Sequence, residues 1–334
     1  MRTYLGLPAA NGALRHGIIA IGNFDGVHLG HRALFASARA RLAQTLGPGK
    51  NGPLCALTFE PHPARLLAPA LAPPLICSSQ RKRELLEQAG VDALIEQPFD
   101  RAFAALDPEA FVELLAGTGA AAVTVGADFT YGRARSGNVE SLRRALEERG
   151  VRLHVLPQVT IEGLVISSTK VREFVLAGKV DAAAELLGRP FDLDGEVVRG
   201  AGRGRTLGWP TANLKTPAEL LPGVGVYAVR AIVYKGHEPD AAIPKLGGAA
   251  NLGINPTFRA PGAQAGGKSP LMLEVHLLDF AGDLYGKTLR VEFIQRLREE
   301  RRFPGPDALK AQITRDVEDA RKLLGSSAPE AKTK

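Results

Sequence analysis

GIIAIGNFDGVHLGH, residues 17–31, decides the fold of the first half of the chain. GIIAI is an unbroken apolar run with the length of a buried strand. Glycines then recur every four residues, at 22, 26 and 30, and His28 and His31 stand three apart. A helix is predicted over about 30–46. Strand, glycine-rich loop and helix in that order put the loop at the carboxyl end of a sheet strand, where ligands of open α/β sheets bind. Glycine lets backbone approach a phosphate closely, and a helix start offers unpaired N–H groups to it. Imidazoles there can donate to phosphate oxygens as charge develops on them. Two histidines at this spacing also serve to cap or pack a helix. Zinc fits poorly because no third ligand has suitable spacing. A Walker loop is excluded by the lack of GxxxxGK[ST].

Working outward, LCALTF (54–59), VDALI (91–95), AAVTV (121–125) and RLHVL (152–156) read as further strands. A helix is expected from near Ser79 to Gly90, a second opening at Asp107-Pro108, and a third over VESLRRALEERG (139–150). The cues are N-cap, N1 and C-cap residues. Strand–helix alternation implies a parallel sheet with right-handed crossovers, a doubly wound α/β domain. After LLGRP (186–190) the period changes. GEVVRG, GVYAVRAIVY, AANLGI, LMLEVHLLDF and TLRVEFIQRL are strand-like and turn-separated, which predicts an antiparallel barrel or sandwich. A closing helix is expected from Asp307 to about Leu324, then a disordered tail, SSAPEAKTK (326–334). Glycine-rich stretches 235–250 and 260–270 read as surface loops. The expected domains are 1–187 and 188–325.

The 334 residues carry a net charge of +7, with 45% hydrophobic and 23% charged residues. Segments such as RRALEER and RLREERR mix both signs, so small phosphorylated ligands explain the basic balance better than nucleic acid. No run approaches the roughly 20 apolar residues of a membrane span, and the N-terminus lacks the apolar core of a signal peptide. Two cysteines, Cys55 and Cys77, without metal spacing, point to a reduced, cytoplasmic protein.

GNFDGVHLGH resembles the HxGH signature of the nucleotidyltransferase superfamily. TFEPHP (58–63), SSQRKRELLEQAGVD (78–92), VGADFTYG (125–132) and ISSTKVR (166–172) resemble the adenylyltransferase half of the bacterial bifunctional riboflavin kinase/FMN adenylyltransferase family. DGEVVRGAGRGRTLGWPTANL (194–214), GVYAV (225–229), NLGINPTF (251–258) and LEVHLLDF (273–280) resemble its kinase half. The resemblance runs from about Gly17 to Phe303. It implies a Rossmann-like nucleotidyltransferase domain followed by an antiparallel β-barrel riboflavin kinase domain with a C-terminal helix. It also implies phosphorylation of riboflavin to FMN, then adenylylation of FMN to FAD with release of pyrophosphate, both using ATP and Mg²⁺.

Carried over by the resemblance, His28 and His31 are transition-state donors, and Ser168, Thr169 and Arg172 hold the departing phosphates. Gly22, Phe24, Asp25, Gly26, His62 and Asp128 complete the first binding site. In the second, Thr211 and Asn213 form the Mg²⁺–nucleotide pair, Glu274 is the base for the riboflavin 5′-hydroxyl, and Gly202 belongs to a phosphate-wrapping loop. By themselves, Thr211 and Asn213 read as turn residues, Glu274 as a surface strand position, the Ser-Ser-Thr run as a helix cap and His62 as a rigid-loop residue. Lys170 stands where the family usually has Arg, and the two differ at a bidentate site. Trp209 stands where Phe is commoner. Expected partners are riboflavin, FMN, FAD, ATP/ADP and pyrophosphate, with no membrane and no specific nucleic acid; a flavin- or RNA-binding regulator without turnover is the competing class.

Overall fold

In the first unit, a six-stranded parallel sheet is built from β1 (Arg2–Leu5), β2 (Ile18–Ile21), β3 (Leu54–Glu60), β4 (Ala93–Pro98), β5 (Ala122–Gly126) and β6 (Arg152–Leu156). Their spatial order is β1-β4-β3-β2-β5-β6. Connections run one way from β2 to β3 and the other way to β5, so the crevice for ligand opens beside β2. The computed structural model describes residues 1–46, 52–200, 208–254 and 271–325. The chain divides into compact units Met1–Ser168 and Thr169–Lys334.

All four residues of β2 are buried because both sheet faces are covered. Ile19 and Ile21 join Cys55, Leu57, Ile95 and Val123 on one face. That face is covered by α3 (Pro108–Gly117) and α4 (Val139–Glu147), once α1 (Leu29–Leu46) and α2 (Ser79–Gln88) have covered the other. There Ile18 and Ala20 meet Leu34, Phe35, Leu85 and Leu86. Alternation within a four-residue strand thus splits it between two cores. Caps fall where the sequence places them. Ser78 accepts from Arg81 N, Asp107 from Ala110 N with Pro108 at N1, and Asn138 forms a capping box with Ser141.

The second unit contains α5 (Ser168–Leu176), whose first residue closes the first unit, and α6 (Val180–Leu187). Then come β7 (Phe191–Val198), β8 (Ala212–Lys215), β9 (Gly225–Lys235), β10 (Leu246–Ile254), β11 (Leu271–Leu277), β12 (Thr288–Arg298) and α7 (Pro306–Leu324). The strands pair antiparallel in the order β9-β10-β11-β8-β7-β12, and β12 pairs back onto β9. Closure removes the sheet edges and settles the alternative left open above in favour of a barrel.

Leu193, Leu214, Leu273, Val275 and Phe293 are buried strand residues of this barrel. Ala228 and Ala249, paired across β9 and β10, instead pack with Val317 and Ala320 of α7. Two alanines at that point let the helix approach the strands closely. Arg298 grips Asp316 through Nε and Nη2, at 2.9 and 2.8 Å, and Arg321 grips Asp279 at 2.6 and 2.9 Å. These bidentate pairs fix the helix near its middle and its end.

β1 and β8 are two of the short strands that escape sequence reading. β1 is an exposed four-residue edge strand, RTYL, held on one side by Ala93–Glu96. β8 begins within the PTAN motif, which reads as a turn. About half of the stretch 235–250 is strand-paired, with Glu238–Pro239 folding back on Tyr234–Lys235 and β10 starting at Leu246. Stretch 260–270 and the tail 326–334 lie outside the described residues.

Candidate functional sites

The loop after β2 is built by unusual backbone. Phe24, Gly26 and Val27 have φ of +48°, +79° and +43°. The two non-glycine residues cost on the order of 1–3 kcal/mol each, and such strain concentrates at functional sites. At Gly26 a Cβ would also come within 2.8 Å of Ile76, so only glycine fits. Asp25, 2% exposed, accepts from Ile76 N at 3.0 Å and Cys77 N at 3.4 Å. It thereby fastens the segment before α2 to the loop. Ser168 Oγ donates to the Asp25 carbonyl at 3.0 Å, which brings the Ser-Ser-Thr segment to the same loop.

His28 is the N-cap of α1. Its carbonyl accepts from Arg32 N, and its ring Nδ1 accepts from His31 N at 3.3 Å. An accepting Nδ1 leaves the proton of the neutral ring on Nε2. Capping and a donor role therefore coexist in one side chain. The His31 ring stacks on His28 with centroids 3.6 Å apart and is braced edge-on by Phe24 at 5.2 Å. Burial, reinforced by His28 and the Lys82 charge, holds the His31 imidazole well below its usual pKa, so it is neutral. Among the described residues, its buried Nδ1 has no hydrogen-bond partner.

Gly22 lies at the start of this loop, where a Cβ would meet the Phe24 ring at 2.9 Å. It also lines a cavity of about 240 Å³ walled by Phe59, Phe99, Phe103, Phe129 and Tyr131. These aromatics come from three separate segments, and the sequence reading missed them as a group. The available signal was the pair of quoted motifs, TFEPHP and VGADFTYG, which carry Phe59, Phe129 and Tyr131. His62 caps the short helix Pro63–Leu67, its Nδ1 accepting from Ala64 N at 3.2 Å. Asp128 is exposed in the turn after β5. Thr169 and Arg172 lie on α5 in the second unit, with Arg172 buried.

The second group is organised by strand register. Glu274 on β11 stands opposite Asn213 on β8 and opposite Asn251 on β10. Leu273 and Val275, on either side, are 1% exposed and belong to the core, as the period-2 argument requires. Three polar residues in a row across three strands form a compact polar patch. Asn251 was quoted within NLGINPTF but not singled out as a site residue; its register with Glu274 is visible only in the fold. Asn213 is 8% exposed and packs so closely on Gly200 that a Cβ there would come within 2.2 Å of its amide. His276 Nδ1–H donates to the Pro210 carbonyl at 2.8 Å and meets Trp209 edge-on at 5.2 Å, which fixes the segment leading to Thr211. Gly202 lies outside the described residues. Among the described residues, no group of three His, Cys, Asp or Glu side chains could hold a metal. Thr211 and Asn213 offer a hydroxyl and an amide carbonyl, oxygen donors that suit a hard cation sharing its shell with phosphates and water.

Two family models match the chain: FAD synthetase over residues 11–170 and riboflavin kinase over residues 187–324. Bifunctional riboflavin kinase/FMN adenylyltransferases from Pseudomonas fluorescens and Escherichia coli K12 are each 38% identical, over 93% of this chain and 94% of theirs. The Bacillus subtilis protein of the same name is 33% identical over 91% of both chains. A crystal structure from Streptococcus pneumoniae, described as a macrolide-efflux protein, is similar with a TM-score of 0.80 and 28% identity, over 98% of this chain and 99% of that one.

Proposed function

The chain belongs to the bifunctional riboflavin kinase/FMN adenylyltransferase family, and from that premise we propose which of its residues perform each step. It phosphorylates riboflavin to FMN and adenylylates FMN to FAD, at the expense of ATP. We assign adenylyl transfer to 1–187 and phosphorylation to 188–325, a division supported by the residues that the two family models cover. The efflux description of the S. pneumoniae structure is not carried over, because family models in both halves name flavin chemistry.

For phosphorylation, Glu274 accepts the proton of the riboflavin 5′-hydroxyl. That oxygen then bonds to the γ-phosphorus of ATP, and the bond to ADP breaks with its electron pair. Thr211 and Asn213 would hold Mg²⁺ together with ATP, and the cation would neutralise phosphate charge. The observation that supports this reading is the Asn213–Glu274–Asn251 register, which sets the base beside the amide ligand.

For adenylylation, an FMN phosphate oxygen bonds to the α-phosphorus of ATP and pyrophosphate leaves. No enzyme-bound intermediate is required, so positioning and fixed dipoles carry the catalysis. His28 Nε2–H and His31 act on the charge that develops, with Ser168 at the phosphates; the resemblance alone gives Thr169 and Arg172 the same role. Asp25 acts by holding the loop, and Gly22, Phe24 and Gly26 by shaping it. His62 and Asp128 bound the substrate. The aromatic cavity takes the isoalloxazine, whose planar π-system suits ring contacts. The protein is taken to work in the cytoplasm, a reading supported by two buried cysteines that form no disulfide. Among the described residues no helix is long and apolar enough to cross a membrane.

Incubation with riboflavin and Mg-ATP, resolved by chromatography, should yield FMN and FAD. A chelator should stop FMN formation, and FMN formation unimpaired by it would remove Thr211 and Asn213 as a metal pair.

A further inference from the structure

α2 is locked to the histidine loop at its start. Asp25 accepts amides of Ile76 and Cys77, two residues before the helix, and Ser78 then caps it. Two turns further on, Leu85 and Leu86 are fully buried in the core cluster that contains Phe24 and Val27 of that loop. Lys82 stands three and four residues before these leucines, so it shares their face rather than the solvent side. It is 7% exposed.

A lysine normally carries its ammonium out to water along its flexible stem. Lys82 buries that stem on the core side of α2. Its ion-pair partner, Glu60 Oε2, is 3.8 Å from Nζ, beyond hydrogen-bond distance, and already accepts from Ser79 Oγ at 2.9 Å. The ammonium itself is not sealed from solvent, so an anion can reach its donors. The Lys82 charge also reaches His31, whose own buried Nδ1 lacks a partner among the described residues. One neighbourhood therefore holds a lysine cation and a neutral imidazole beside the donor ring of His28. A chain of anionic phosphate oxygens suits the Lys82 cation and the His28 donor together.

We propose that Lys82 is a further phosphate-contacting residue of the adenylyltransferase site, its ammonium hydrogen-bonding the phosphate chain of ATP. Glu60 is its counter-ion before nucleotide arrives. During transfer the Pα–O bond to the β-phosphate breaks with its electron pair on the departing pyrophosphate. Lys82 stabilises that charge as a fixed cation and keeps its proton. The proposal rests on the reading of His28 and His31 as the adenylyl-transfer site.

The test combines Lys82→Met and Lys82→Arg with binding of inorganic pyrophosphate. Lys82→Met should lower kcat/KM for FMN adenylylation about 10- to 100-fold and weaken pyrophosphate binding at least about tenfold, the loss of one charge-assisted hydrogen bond. Lys82→Arg should recover part of both. Riboflavin phosphorylation by the same preparation should stay within about twofold of the unsubstituted enzyme, a control on folding. Unchanged pyrophosphate affinity and adenylylation in Lys82→Met would overturn the proposal. Where the substitutions disturb folding, a crystal structure of the unsubstituted protein with pyrophosphate decides: Nζ on a phosphate oxygen supports the proposal, and Nζ still turned to Glu60 overturns it. His28→Ala and His31→Ala run in parallel. If they abolish FAD formation while Lys82→Met does not, Lys82 alone is excluded. Full FAD synthesis in the histidine variants overturns the site reading, and this proposal with it.

Discussion

The first unit positions its histidines with backbone, whereas the second positions its base with strand pairing. Between Phe24 and Val27, three residues of left-handed conformation bend the chain so that His28 caps a helix and His31 stacks on it. Asp25 and Ser168 tie that bend to two distant segments. Glu274 needs none of this, because antiparallel register alone sets it opposite Asn213 and Asn251. One site is thus a strained loop held by many contacts, the other a regular surface in which each side chain can change without moving its neighbours. Substitutions should therefore separate the activities cleanly in the barrel, and with some loss of stability in the loop.

The largest effect is expected at Glu274. Glu274→Gln keeps the shape but removes the proton acceptor, and should lower FMN formation by about 10²–10⁴. Conversion of supplied FMN to FAD should continue at its normal rate, measured by chromatography of the two flavins. A normal kinase in this variant would take Glu274 out of the mechanism.

Next in size, His28→Ala or His31→Ala should reduce FAD formation by about 10²–10³, the usual cost of one transition-state donor. FMN formation should be spared. Loss of both activities in a folded variant would break the comparison, because it would mean the sites are not independent. His28→Ala should also lower thermal stability, since it removes a helix cap worth about 1 kcal/mol; Glu274→Gln should not.

The smallest expected effect is on pH dependence. The neutral His31 has a folded pKa well below the 6.5 of the unfolded chain. Between those values the unfolded state binds more protons, so stability rises with pH in that window and falls as the solution is acidified below about 6.5. Thermal melts from pH 7.5 to 5 should show the first unit losing stability, with a shallower slope in His31→Asn. An equal slope in both proteins would place the titration elsewhere.

Much of this was legible in the sequence, and the gaps have physical causes. Buried parallel strands announce themselves as apolar runs, and Ser78, Asp107 and Asn138 mark helix starts by their capping chemistry. β1 was invisible because a four-residue edge strand needs neither an apolar run nor alternation. β8 was hidden inside PTAN, where motif and strand coincide. Lys82 reads as one charge in a run of basic residues, and only the packing of Leu85 and Leu86 turns it inward. Asn251 and the aromatic cavity depend on residues brought together across strands and loops, which no local pattern encodes.

The central claim is that one chain carries two separate sites, one built around His28 and His31 and one around Glu274. Mixing purified Glu274→Gln and His28→Ala proteins with riboflavin and Mg-ATP tests it directly. Neither variant alone should make FAD from riboflavin at an appreciable rate; together they should, with FMN appearing first and FAD following. A mixture that accumulates FMN without FAD, although the Glu274→Gln protein converts supplied FMN normally, would contradict the account.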